Sequence, residues 1–148
     1  MLKNGLDKDI AFDLHESVSF SGSSGPYLQY TVARINSIIR KSKVKSKKSK
    51  VKFKSQNLKL EDAKELALVV KLAKYPEILE AAGKKYDPSE IAKYLFELAQ
   101  AFNDYYHSVQ ILKTKLEVKL ARLTLISAVK QILTNGLELL GIETVEKM

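Results

Sequence analysis

Cysteine and tryptophan are both missing from the 148 residues, and histidine occurs only twice, as His15 and His107. Without cysteine the chain can form no disulfide, thiolate nucleophile or cysteine-based zinc site. The two histidines lack metal-ligand spacing, and neither has a serine–carboxylate setting from which to build a nucleophile–base pair. No glycine-rich loop that would cradle a phosphate occurs. The longest strictly apolar run is Leu66 to Val70, far below the ~20 residues that cross a bilayer. No signal-peptide pattern opens the chain. These absences predict a soluble, cytoplasmic domain, not catalytic by itself, with no metal, no cofactor and no membrane partner.

Acidic residues are absent where the basic ones crowd. Lys41, Lys43, Lys45, Lys47, Lys48, Lys50, Lys52 and Lys54 form a run with no acid between them. The formal net charge is +8 from 25 basic and 17 acidic residues. Without those eight lysines, 17 basic face 17 acidic residues. The positive charge is therefore one segment and not a basic globule. Its Lys/Ser/Val alternation has no helical stripe, so residues 41–57 read as a loop. Two readings stay open for it: a solvated insertion, or an arm whose Lys43, Lys45, Lys47, Lys48 and Lys50 contact phosphates.

Elsewhere the pattern is helical. Pro26 suits a first helical position, with Ser24 or Gly25 as cap. Leu28, Val32, Ile35 and Ile39 then recur as a core stripe. Glu61 to Tyr75 carries Ala63, Leu66, Ala67, Val70 and Ala73 at helical spacing. Pro76 opens another helix, ending around Gly83. Asp87, Pro88 and Glu90 read as the cap, first position and N3 of a long helix. Its core face is Ile91, Leu95, Leu98, Phe102 and Tyr105. A last helix from Val118 to Leu133 is stopped by Thr-Asn-Gly, with Gly136 as left-handed cap, before a short turn "LELLGI". The predicted fold is all-α, a bundle of four to five main helices with a lysine-rich loop after the first. With no second apolar seam in view, a monomer is expected.

At ~100° per residue, Tyr27, Tyr30 and Arg34 share a face beside the core stripe of the first helix. Tyr105 continues the core face of the long helix, which leaves Tyr106 exposed. Exposed aromatics beside an arginine suit single-stranded RNA, whose splayed bases stack on such rings. They equally suit helix–helix junctions with no ligand, so a protein-binding module remains a second reading.

The residues themselves carry a resemblance. "FDLHESVSFSGSSGPYLQYTVARINSIIRK" resembles the segment that opens the C-terminal, DALR-type anticodon-binding domain of arginyl-tRNA synthetases, with its G-N-T-G-P-Y-L-Q-Y motif. "AKELALVVKLAKYPEILEAA", "YLFELAQAFNDYYHSVQIL" and "ARLTLISAVKQILTNGLELLGIETVEKM" are similar to the family in order and spacing. SGSSG, Ser21 to Gly25, has the look of a fusion linker, but it stands where the family has its glycine–asparagine–threonine–glycine turn, so it reads as native. Ser23 and Ser24 replace Asn-Thr, and Val32 stands where the family often has histidine or an aromatic.

The resemblance implies that Tyr27, Tyr30, Arg34, Tyr106 and Met148 meet the anticodon loop of arginine tRNA. It implies no DNA partner. Residues 1–24 would lead in from an absent catalytic domain, and 25–148 would form the anticodon-binding domain, ending at its natural terminus. The parent would be an arginine-tRNA ligase using ATP and magnesium, whose HIGH- and KMSKS-like signatures do not occur here. A further synthetase of class I, such as cysteinyl, is the alternative within RNA binding.

Overall fold

The computed structural model describes residues 24–42 and 59–145. Within them lie five helices: α1 Gly25–Lys41, α2 Ala63–Ala73, α3 Tyr75–Lys85, α4 Ser89–Ser108 and α5 Leu116–Leu139. No strand occurs among the described residues. The all-α bundle expected from periodicity is the one observed. α4 and α5 pack together as the central pair, α1 and α2 each pack on both, and α3 rests on α2 and α4.

Capping chemistry sets where α1 begins. The Ser24 side chain accepts the N–H of Tyr27, satisfying one of the amides that have no partner inside the helix. Leu28, Val32, Ile35 and Ile38 are then buried. Ile39 is only half-buried, so Ile38 takes the place expected for it. α4 follows its expected face closely, burying Leu95, Leu98, Phe102 and Tyr105, while Ile91 packs half-buried at its edge. Asp87 caps α4 through its carboxylate, which accepts the N–H of Ser89 at 2.9 Å. Ser89, through its side chain first and through this N–H second, holds the Asp87 pKa below the usual carboxylate value. Pro88 precedes the first helical residue, Ser89, and Glu90 faces Lys85 at 3.6 Å.

Three expectations are corrected. The apolar spacing chosen for α2 marks its exposed side: Leu66 is 62% and Val70 50% exposed, and only Glu65 and Leu68 are buried. A buried acid occupies the inward register, which apolar counting cannot see. The exposed strip of Leu66, Val69 and Val70 also removes the ground given for a monomer.

α3 runs through Gly83 to Lys85. Its terminal bonds, Tyr86 N–H to Gly83 O and Asp87 N–H to Ala82 O, are those of a Schellman ending. Tyr86 takes the left-handed position there, at φ 53°.

α5 likewise passes through Gly136, so "LELLGI" supplies its last turn instead of a separate one. The left-handed residue is Gly141, at φ 71°. Gly136 serves packing: a Cβ there would stand 2.5 Å from a methyl of Leu95, so its absence lets α4 and α5 approach.

The left-handed Tyr86 has a measurable consequence. An L-residue there carries ~1–2 kcal/mol of strain, and with 86% of Tyr86 exposed little packing is lost on its removal. Tyr86→Gly is expected to raise stability by about 0.5–1 kcal/mol in urea unfolding.

A second consequence concerns alkaline pH. The Tyr94 hydroxyl donates to the Lys71 carbonyl at 2.9 Å, and burial foremost, then Tyr75, pushes its pKa up to about 12. Unfolded tyrosine ionises near 10. The contribution is therefore intact below pH ~10 and lost as pH rises towards 12. Tyr94→Phe is expected to make the fall in Tm across that window shallower than in the wild type.

Candidate nucleic-acid interface

α1 and α4 meet along a line where the aromatic and cationic residues collect. Tyr30 and Arg34 stand one turn apart on α1, and Tyr106 comes from the last turn of α4. The Arg34 guanidinium carbon is 4.7 Å from the centre of the Tyr30 ring and 5.3 Å from that of Tyr106, within cation–π range of both. Both tyrosines are 38% exposed. The Tyr106 ring leans on the buried Phe102 at 6.2 Å between centroids, and its neighbour His107 meets it edge-on.

Asn103 fixes the arginine. Its Oδ1 accepts Arg34 Nη1 at 2.6 Å, while its Nδ2 donates to the Tyr27 hydroxyl at 2.8 Å. The Thr31 hydroxyl lies 3.4 Å from the same amide nitrogen and donates to the Tyr27 carbonyl. A flexible arginine is thereby held in one orientation by a side chain that is itself anchored. Sequence reading missed Asn103. The signal was available, since Asn103 stands three residues before Tyr106 and so shares its helix face.

Beside these groups opens a cavity of about 730 Å³, lined among others by Tyr30, Arg34, Lys41, Tyr106, Gln110 and Lys113. Its size falls in the usual range for ligand sites. The 109–113 stretch after α4 forms one wall, a contribution that its unpatterned sequence did not reveal.

Of the residues expected at an RNA surface, Tyr30, Arg34 and Tyr106 come together at this cavity. Tyr27 does not line it. Its ring stacks on Phe96 at 5.2 Å, so it reaches the cavity only through Asn103. Val32 is 1% exposed and belongs to the core. Met148, Lys43, Lys45, Lys47, Lys48 and Lys50 lie outside the described residues. Among the described residues no group of three or more His, Asp or Glu could hold a metal, and no helix is long and apolar enough to cross a membrane.

Comparison with known proteins shows the family. The family model "DALR anticodon binding domain" matches residues 28–148. An arginine–tRNA ligase of Halothermothrix orenii is 41% identical over 99% of the chain, and one of Lactococcus lactis subsp. cremoris is 43% identical over 99% of it. The chain spans only 25% of the length of each of these curated relatives. Among solved structures, the arginyl-tRNA synthetase of Thermus thermophilus superposes with a TM-score of 0.80 at 32% identity, covering 95% of this chain and 24% of that one. The Plasmodium falciparum enzyme gives 0.82 at 26% identity, covering 99% and 25%.

Proposed function

The chain belongs to the DALR anticodon-binding domain family, and on that premise we propose that the cavity between α1 and α4 receives the anticodon loop of arginine tRNA. All arginine codons of the standard code have G in the middle, so every arginine anticodon carries a central cytosine. A pocket reading that one base serves every isoacceptor.

The observation that carries this reading is the Tyr30–Arg34–Tyr106 group, with Arg34 oriented by Asn103. Unpaired bases stack on tyrosine rings for ~1–3 kcal/mol each. A guanidinium donates well to paired acceptors, and the cytosine edge offers two, N3 and O2. On the Watson–Crick edge uracil presents a donor at N3 and guanine a donor at N1, so neither satisfies the same fork there. Guanine offers two acceptors only on its other edge, at O6 and N7. Arg34 is the edge reader in this scheme, Tyr30 and Tyr106 are the stacking platforms, and Met148 closes the pocket. Tyr27 supports the platform from behind through Asn103. The lysines at 43, 45, 47, 48 and 50 add sequence-independent attraction to the phosphates.

One copy of the domain engages one stem–loop, in the cytoplasm. The longer protein of which relatives of this kind are examples would activate arginine with ATP and magnesium and join it to the tRNA, work for which this stretch supplies recognition only.

Alanine at Tyr30 or Tyr106 is expected to weaken binding of an arginine-tRNA anticodon stem–loop about tenfold, with the circular-dichroism melt nearly unchanged because both rings are part-exposed. Retained affinity in both variants would refute the stacking roles. A collapse of Tm would make the tyrosines structural, as a protein-binding helical module requires.

A further inference from the structure

On the far flank of α1 lies a second recess, of about 330 Å³, between α1, α5 and the segment that follows α5. Asn36 and Arg40 line it from α1, Lys130 and Thr134 from α5, and Thr144 from the following segment, with Val32 beneath. Among the described residues no carboxylate lines it. The Arg40 guanidinium reaches only Ser37 Oγ, at 3.1 Å, and neither Arg40 nor Lys130 forms an ion pair among the described residues. The Thr134 hydroxyl is buried against the recess and has no hydrogen-bond partner among the described residues. The segment after α5 is tied down there, because Gln29 Nε2 donates to the Glu143 carbonyl at 2.7 Å.

A recess with two cations, an amide, two hydroxyls and no acid suits a ligand with several acceptor oxygens and a negative charge. Arginine in particular matches the spacing of phosphate oxygens. We propose that this recess binds a backbone phosphate of the same RNA whose loop occupies the α1–α4 cavity. The proposal rests on the RNA-binding reading given above. Arg34, Ser37 and Lys41 face the first cavity and Asn36 and Arg40 face the second, so α1 forms a ridge between them. A helix with its side chains is about 10–12 Å across, narrow enough for one strand to meet both flanks of the ridge. The loop base fixes identity on one flank of the ridge, and the phosphate fixes the direction in which the strand leaves on the other.

The test is a double variant, Arg40→Gln with Lys130→Gln, titrated with arginine-tRNA stem–loops bearing central cytosine or central guanine over a range of salt. A control double variant, Lys84→Gln with Lys93→Gln, removes the same net charge from α3 and α4. Losing the one phosphate held by these two cations should lower affinity about tenfold and reduce the slope of log K against log salt by about 0.7–0.9. The cytosine-to-guanine ratio should stay at its wild-type value, and the control should change the slope by far less. Unchanged affinity and slope, or the same change in the control, would overturn the proposal, as would loss of the cytosine preference.

A wild type with no cytosine preference would sink the base-reading proposal alone, since the salt slope still reports on the recess. Inorganic phosphate, followed through the amide resonances of Asn36 and Thr134, separates the two sources of the anion. Millimolar phosphate binding together with unaltered RNA affinity in the double variant would make the recess a small-anion site and overturn its role in RNA binding.

Discussion

Glu65→Ala is expected to remove about 3–5 kcal/mol of stability, as when one partner of a buried ion pair is deleted. Glu65 is 0% exposed and is the acceptor on which three helices converge. Its Oε1 accepts Arg122 Nε at 2.6 Å and the Tyr105 hydroxyl at 3.2 Å. Its Oε2 accepts the N–H groups of Glu61 and Asp62 at 2.8 and 3.1 Å, closing a capping box with Asp62 at the start of α2. Alanine would leave a nearly buried guanidinium, a buried phenol and two amides without that acceptor, and each orphan costs free energy. Tyr105 registers the same cluster: burial first, and next the charge of Glu65, push its pKa well above the ordinary tyrosine value.

With total stability of order 5–15 kcal/mol for a domain, a loss of that size leaves a marginal fold. Glu65→Gln keeps the volume and one acceptor and should lose less. Urea unfolding monitored by circular dichroism reads the difference. A Glu65→Ala loss below about 1 kcal/mol would show that the cluster contributes little.

Arg34→Ala is expected to lower affinity for the arginine-tRNA anticodon stem–loop by about 10–100-fold, because it removes a base-edge contact of ~1–3 kcal/mol together with the cation between two stacking rings. The variants around it separate charge from geometry. Arg34→Lys keeps the charge but loses the planar fork, so the salt slope should persist while cytosine preference falls. Asn103→Ala keeps the guanidinium but frees its Nη1 from the 2.6 Å bond that orients it. Preference should drop there more than affinity, with the salt slope unchanged. If Asn103→Ala left preference intact, the orientation of Arg34 would be set by the two rings alone. Anisotropy titrations with cytosine- and guanine-bearing stem–loops read all three variants.

Periodicity and capping chemistry made the bundle legible in the sequence. The start of α1 follows from Ser24 and Pro26, and the burial of Tyr105 beside the exposed Tyr106 follows from a 100° rotation per residue. What stayed hidden depends on partners that no local window contains. Glu65 faces inward because Arg122, 57 residues away, and Tyr105, 40 away, wait for it. That same contact turns Leu66 and Val70 to the solvent. Gly136 has the local look of a helix stop, yet its value is the space it leaves for Leu95 on another helix. Tyr86 at a left-handed position defeats the rule that glycine ends helices, so Gly83 drew the boundary too early.

The candidate site divides in the same way. Tyr30, Arg34 and Tyr106 were found from helix geometry and family likeness together. Asn103 and the wall from 109 to 113 required the fold. Tyr27 was placed correctly on its helix, but its ring has a packing partner, Phe96, that the face argument did not include.

The most direct measurement of the central claim is a fluorescence-anisotropy titration of the wild-type domain with an arginine-tRNA anticodon stem–loop, beside one whose central cytosine is changed to guanine, at low and moderate salt. The expected result is a cytosine preference of about tenfold or more that persists as salt weakens both complexes. Equal affinities that vanish together with added salt would contradict the claim, leaving only charge attraction and no base reading at the Tyr30–Arg34–Tyr106 cavity.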